Sequence, residues 1–143
     1  MSVRQISVFL ENRSGRLSEV ARILGDEGIN IRALSLADTS DFGILRLIVN
    51  EPDKAYQILK DANFVINKTR VLAAEVEDRP GGLARLLGIF ESADVNVEYM
   101  YAVVEKATEN AVMIIRVEDI EGATSLLRRA GIRLLGEKEV YSL

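Results

Sequence analysis

The sequence contains no cysteine, no histidine and no tryptophan, and only two prolines in 143 residues. Without cysteine there is neither a disulfide framework nor a thiol nucleophile. Without histidine as well, the commonest general base and the usual transition-metal ligands are missing, and no metal or cofactor is expected. Any catalysis would have to run on carboxylates, Lys, Tyr or Ser. Long apolar runs are also absent: no stretch approaches the roughly 18 residues of a membrane span. A basic surface is lacking too. Residues 1–70 hold 10 Lys+Arg against 9 Asp+Glu, and residues 71–143 hold 8 against 13. Neither half has the positive face that phosphate-backbone binding needs, so nucleic acid is not an expected partner. The opening "MSVRQISVFLENR" has charge on both sides of a short apolar run and no small-residue cleavage site. It reads as no signal peptide, and cytoplasm is the expected location.

What the chain does have is a core and a repeat. Apolar residues make up 48% of it, enough to expect packing and not disorder. "ENRSGRL" (Glu11–Leu17) returns as "EDRPGGL" (Glu77–Leu83), an offset of 66 residues. Leu17, Val20, Ala21 and Leu24 fall on Leu83, Leu86, Leu87 and Phe90, both with the i, i+3, i+4, i+7 spacing of one buried helix face. "GINIRALSL" then falls on "DVNVEYMYA" as a strand, with Gly28 at the C′ position of the first helix. Beyond a turn the offset becomes 68, and "ILRLIV" matches "VMIIRV" as a further strand. Second helices follow, with Pro52 and Asp119 as starts and Asn63 and Gly131 as stops.

Each half thus reads strand–helix–strand–strand–helix–strand, an α+β fold of the split β-α-β kind. The expected modules are residues 1–70 and 71–143, antiparallel sheets with helices on one face. A half of this size is marginal alone, so the two are expected to pair. Residues 64–77 must supply the last strand of one half and the first of the other, with no Gly or Pro to turn them. Either one strand runs through, or the C-terminal "EVYSL" crosses over to complete the first half. Leu45, Leu47 and Val49, with Met113, Ile115 and Val117, should face the helices. The opposite face, with Ile44, Arg46, Ile48, Val112, Ile114 and Arg116, is too apolar for water. A second copy of the chain, forming a homodimer through these open sheet faces, is expected to cover it.

The repeated loop has chemistry suited to a small anionic ligand. Ser14 can cap the first helix, Gly15 allows close backbone approach, Pro80 suits a first helical turn, and Gly81 and Gly82 leave amides unshielded. A helix N-terminus with bare N–H groups attracts a carboxylate. Asn12 supplies donor and acceptor, Asp78 acceptors, and together these suit an α-amino acid. Arg13 and Arg79 can pair with a carboxylate or stay solvated. Asn30 and Asn96 interrupt apolar strands, either as ligand contacts or as turn residues at a strand's start. Ordinary helix capping explains the same Asn, Asp, Ser, Pro and Gly without a ligand, and both readings stay open. Tyr99 and Tyr101 suit packing better than a pocket.

"ENRSGRLSEVARILGDEGINI" and "EDRPGGLARLLGIFESADVNV" both resemble the opening of an ACT domain, a regulatory module with the ferredoxin-like βαββαβ fold that binds amino acids. The resemblance covers the whole chain as a tandem pair and is closest to stand-alone tandem ACT proteins. It implies a small amino acid held at the seam between two modules, a signal to a partner enzyme of amino-acid metabolism in trans, and no catalytic activity. Carried over, Asn12 would act with Asn96 and Asp78 with Asn30. Two departures stand out: Leu10 and Val76 replace the family's ligand-binding His, and Ser14 stands where Pro is usual. Two alternatives are a ligand-free subunit-association module and an acylphosphatase-like hydrolase using Arg13 or Arg79. RNA binding through such a fold lacks the aromatic stacking residues it would need.

Overall fold

The computed structural model describes residues 2–11, 13–38, 42–103 and 110–143. By contacts the chain divides into two compact units, Arg4–Thr69 and Arg70–Leu143 with Met1–Val3. The first unit contains β1 (Val3–Glu11), α1 (Arg16–Asp26), β2 (Ile31–Asp38), β3 (Phe42–Val49), α2 (Pro52–Asp61) and the start of β4 (Val65–Val76). Its strands run in the order β2-β3-β1-β4. The antiparallel registers are Ile6↔Leu47 to Glu11↔Phe42 and Ile31↔Val49 to Asp38↔Gly43. The second unit takes the rest of β4, then α3 (Gly82–Ser92), β5 (Tyr99–Ala102), β6 (Ala111–Arg116), α4 (Ile120–Arg129) and α5 (Glu137–Tyr141), with strand order β4-β6-β5.

Alternation along the strands decides which face packs. In the first unit Ile6, Val8, Leu10, Leu45, Leu47 and Val49 join Val20, Leu24 and Leu59 of the helices in one cluster. In the second, Leu72, Ala74, Val76, Ile115 and Val117 meet Leu86, Phe90 and Leu127, and Met113 packs against them. The strand faces expected to meet helices do so. Both halves place their helices on one face of an antiparallel sheet, as the ACT resemblance implies.

The helix stripes are shorter than their spacing suggests. Val20 and Leu24 are buried, as are Leu86 and Phe90, but Leu17 and Leu83 remain 42% and 43% exposed. Ala21 is exposed, and Ile23 packs in its place. All four long helices end alike. The C′ residues Gly28, Asn63, Asp94 and Gly131 have positive φ. The residue after each donates back to the carbonyl of the third-last helical residue, as Ile29 does to Leu24 at 2.9 Å. This is the Schellman closure, which satisfies carbonyls that the helix leaves orphaned.

The stretch between the repeats runs through as one strand, since β4 extends unbroken from Val65 to Val76. "EVYSL" does not cross over: Glu137–Tyr141 forms α5, and Gly136 N–H meets the Glu139 carboxylate at 3.4 Å. The closing strand of the second repeat shrinks to a bridge between Leu134 and Ala74, flanked by Glu75 N–H to Arg133 O and Leu135 N–H to Ala73 O. The second half therefore departs from the expected six-element pattern at its end. The sheet face expected to need a covering second copy is already largely shielded. Ile48, Val112 and Ile114 are already 0–6% exposed in the single chain, while Ile44, Arg46 and Arg116 are half-buried. No described helix is long and apolar enough to cross a membrane.

Candidate functional site

The two copies of the repeated loop adopt the same backbone at their helix starts. Gly15 and Gly81 are the N-caps of α1 and α3, and both have φ 89° and ψ −12°. That is the left-handed region, which glycine enters without the clash a Cβ would bring. Ser14 is therefore not the cap, and it sits exposed in the turn before Gly15. Pro80 likewise lies in the turn, two residues ahead of α3. A glycine N-cap brings no side-chain acceptor to the first-turn amides. At α4, by contrast, Asp119 Oδ1 accepts from Gly122 N–H at 3.0 Å and closes the cap.

Each loop opens a pocket in its own unit, and the two pockets are built from matching positions. In the first unit a pocket of about 110 Å³ is lined by Leu10, Glu11, Arg13, Arg16, Leu17 and Leu36, with Gly43 at its edge. In the second a pocket of about 360 Å³ is lined by Val76, Glu77, Asp78, Arg79, Leu83 and Ala111, among others. Leu10, Glu11, Arg13, Leu17 and Gly43 correspond to Val76, Glu77, Arg79, Leu83 and Ala111 through the offsets of 66 and 68. Leu17 and Leu83 are exposed because they stand at these mouths and not in the core. Leu10 and Val76, which replace the family's His, are buried and give both pockets an apolar floor.

The charged rims also match. Arg13 Nε lies 3.5 Å from Glu11 Oε2, and Arg79 Nη2 lies 2.5 Å from Glu77 Oε2. All four side chains are substantially exposed, so these pairs set local charge more than stability. Gly82 opens α3 under a tight constraint. A Cβ there would stand 2.0 Å from the Glu77 carbonyl oxygen.

The expected asparagines fare differently. Asn12 lies outside the described residues. Asn30 is exposed just before β2, where its N–H donates to Asn50 Oδ1 at 3.0 Å and its carbonyl accepts from Asn50 N–H at 3.2 Å. Its backbone thus ties the start of β2 to the end of β3. Asn96 is exposed and lines a separate groove with Phe90, Glu91, Asp94, Val95 and Val97. Neither asparagine lines the loop pocket of its own unit. Tyr101 is buried, and so is Ala33, in keeping with packing roles.

Two groups escaped the sequence reading. Arg16 sits where the second repeat has Gly82. Its side chain is 16% exposed, its Nη1 bonds Glu19 Oε2 at 2.8 Å, and its guanidinium lies 4.3 Å over the Phe64 ring. The signal was present as a mismatch between the repeats at that position. The other is a cavity of about 140 Å³ in the second unit, where Glu75 accepts from Asn110 at 3.2 Å and from Arg133 at 3.2 Å. The matching positions in the first half are Phe9 and Val65, so the repeat could not reveal it.

Residues 1–143 match the family model described as an ACT domain pair. The chain belongs to the ACT domain pair family. A crystal structure of protein BT0572 from Bacteroides thetaiotaomicron is 42% identical, with a TM-score of 0.92 over 100% of this chain and 98% of that one. The ligand-free regulatory subunit of aspartate kinase from Thermus thermophilus shares the fold, with a TM-score of 0.63 at 16% identity over 89% and 91% of the two chains. The acetolactate synthase small subunit of Buchnera aphidicola subsp. Baizongia pistaciae is 35% identical over 81 residues, 54% of this chain and 50% of that protein. The match thus spans about half the length of that curated relative. Of these, the acetolactate synthase match is named as a small subunit, and the aspartate kinase structure shows a shared fold.

Proposed function

We propose that this ACT domain pair is a non-catalytic, amino-acid-binding regulatory protein that acts on a partner enzyme of amino-acid metabolism in trans. One observation carries the reading: the repeated loop forms the mouth of a pocket in each unit, from matching residues, under a glycine-capped helix N-terminus. Ordinary capping predicts the turn but not a pocket floored by Leu10 or Val76 and rimmed by paired charges. The helix N-terminus favours a carboxylate, and Glu11, Glu77 and Asp78 offer acceptors for an ammonium. The proposed ligand residues are Asn12, Arg13, Ser14 and Gly15 in the first loop and Asp78, Arg79, Gly81 and Gly82 in the second, with Asn30 and Asn96 as lesser candidates. The names of the relatives support the regulatory role.

Mechanistically, a ligand that binds one conformation of the chain more tightly shifts the population toward it. A differential of about 1–3 kcal/mol is enough to alter a partner's behaviour 5- to 150-fold. The test is a thermal-shift screen of the full chain against the twenty L-amino acids, followed by calorimetry. A ligand at 100 times its Kd stabilises by about 2.7 kcal/mol, a readily measured shift. No shift with any amino acid would refute the reading. Association with a second copy is a separate expectation, and light scattering of a monomer at micromolar concentration would remove it.

A further inference from the structure

We infer that two copies of this chain pair through the outer edge of β2, strand against strand, about a twofold axis at Ser35. The inference assigns a surface to the association expected above and does not depend on the amino-acid-binding reading. β2 ends the strand order of the first unit and pairs with β3 alone among the described residues. An edge strand presents unpaired N–H and C=O groups, and natural edges are blunted by shortness, charge, proline or bulges. The edge strand of the second unit, β5, is blunted by length, with four residues. β2 has eight, and its register against β3 is unbroken from Ala33 to Asp38, the register shift lying earlier, between Ile31 and Ala33. Ala33–Ala37 holds no charge and no proline.

Apolar surface gathers at the same edge. Leu34 and Leu36 stand opposite Leu47 and Leu45, on the sheet face that carries the helices. Leu45 and Leu47 are buried there, whereas Leu34 and Leu36 stay 45% and 48% exposed. Leu17, also exposed, lines the first loop pocket together with Leu36, so this surface continues onto the start of α1.

The order of residues in the strand says what covers it. "RALSLAD" (Arg32–Asp38) reads the same from either end about Ser35, apart from its two end residues, which are opposite in formal charge. A twofold interface is isologous: where residue i meets residue j, j meets i. Antiparallel pairing about Ser35 sets Leu34 against Leu36 of the second copy, Ala33 against Ala37, and Ser35 against its own counterpart, with Arg32 toward Asp38. The members of each pair differ by an even number of residues. Outward-directed backbone groups therefore meet outward-directed groups, and side chains on one face meet that same face. The leucines of both copies then close over one side of the joint, and opposite charges end it. A strand added from another protein would have to supply this pattern, and the chain already carries it.

The experiment is light scattering of the full chain over a range of micromolar concentrations, on wild type and two double variants. Wild type is expected to be a dimer. Leu34→Lys/Leu36→Lys and Leu34→Glu/Leu36→Glu each set like charges across both leucine pairs, and each is expected to weaken the dimer about 10-fold or more. An equal mixture of the two is expected to pair again, because every introduced lysine then faces a glutamate. Circular dichroism checks that the variants fold. Hydrogen exchange on wild type carries the test should they not fold: amides within Ala33–Ala37 are expected to gain protection as concentration rises through the dimerisation range. If the variants dimerise as tightly as wild type, or those amides stay equally open at every concentration, the inference falls and the association stands on another surface. Variants that are monomeric alone and stay monomeric when mixed overturn the facing of Leu34 and Leu36. A wild-type monomer throughout removes the association and this inference with it, and leaves the amino-acid-binding reading intact.

Discussion

Replacing Gly82 with alanine tests the loop geometry on which the second pocket depends. The new Cβ would stand 2.0 Å from the Glu77 carbonyl oxygen and 3.0 Å from its carbonyl carbon. Ordinary carbon–oxygen contact begins near 3.3 Å, so backbone at the loop or the first turn of α3 must move by more than an ångström. Forcing a methyl into a packed position costs about 1–3 kcal/mol. Restricting the unfolded chain returns about 0.4–1 kcal/mol. The net expectation is a loss of about 1–2 kcal/mol. With a urea slope of about 1–3 kcal/mol/M, the midpoint should fall by roughly 0.5–1 M at unchanged slope. Gly88 is the internal control: it lies in the middle of α3, and a Cβ there meets nothing within 4 Å. Gly88→Ala should stabilise by about 0.8–1 kcal/mol through helix propensity alone. Equilibrium urea unfolding followed by far-ultraviolet circular dichroism reads both. A Gly82→Ala midpoint at or above wild type would refute the close approach of Glu77 to α3.

Removing the α4 cap by Asp119→Ala should cost about 1 kcal/mol in the same assay, since Gly122 N–H then loses its acceptor. A change below a few tenths would mean that the cap bond does not persist in solution. Asp53 should titrate below its ordinary value of 3.8, because Arg4 hydrogen-bonds it at 2.7 Å and adds its charge, with Lys68 assisting. A lowered folded-state value means that its contribution is complete above pH 3.8 and is lost as pH falls through the folded value. Arg4→Gln should therefore raise the Asp53 midpoint in an NMR titration, and an unchanged midpoint would show that the pair is not formed.

Local chemistry made much of the fold legible. Pro52, Asp119, Asn63 and Gly131 each mark a helix end because each does one thing at that position that few residues do. Periodicity was less reliable at the margins. Leu17 and Leu83 continue the apolar stripe in register yet stand at pocket mouths, and spacing alone cannot say where a core stops. β5 begins at Tyr99, and just before it Glu98 N–H meets Arg116 O, so the apolar residues Val95 and Val97 gave a strand signal ahead of the paired strand. "EVYSL" reads as strand by residue type, but Gly136 caps a helix that takes in its first three residues, Glu139–Tyr141. At the site, the repeated letters pointed to the pockets, whereas Arg16 was overlooked because it is where the letters differ.

That difference bears on what the duplication achieved. Two copies of one loop, with the same glycine conformation at φ 89° and ψ −12°, place the same glutamate–arginine pair beside the same apolar floor. Identical frames would give identical sites only if the helix began with the same residue. In the first repeat it begins with Arg16, which reaches Glu19 and Phe64 and brings a second cation to the pocket wall. In the second it begins with Gly82, whose missing side chain leaves room for the Glu77 carbonyl, and the charge beside that pocket comes from Glu77, Asp78 and Arg79. One helix start therefore carries a guanidinium and the other only backbone. The two pockets are chemically unequal at the first helical residue, while both keep the glutamate–arginine pair of the loop.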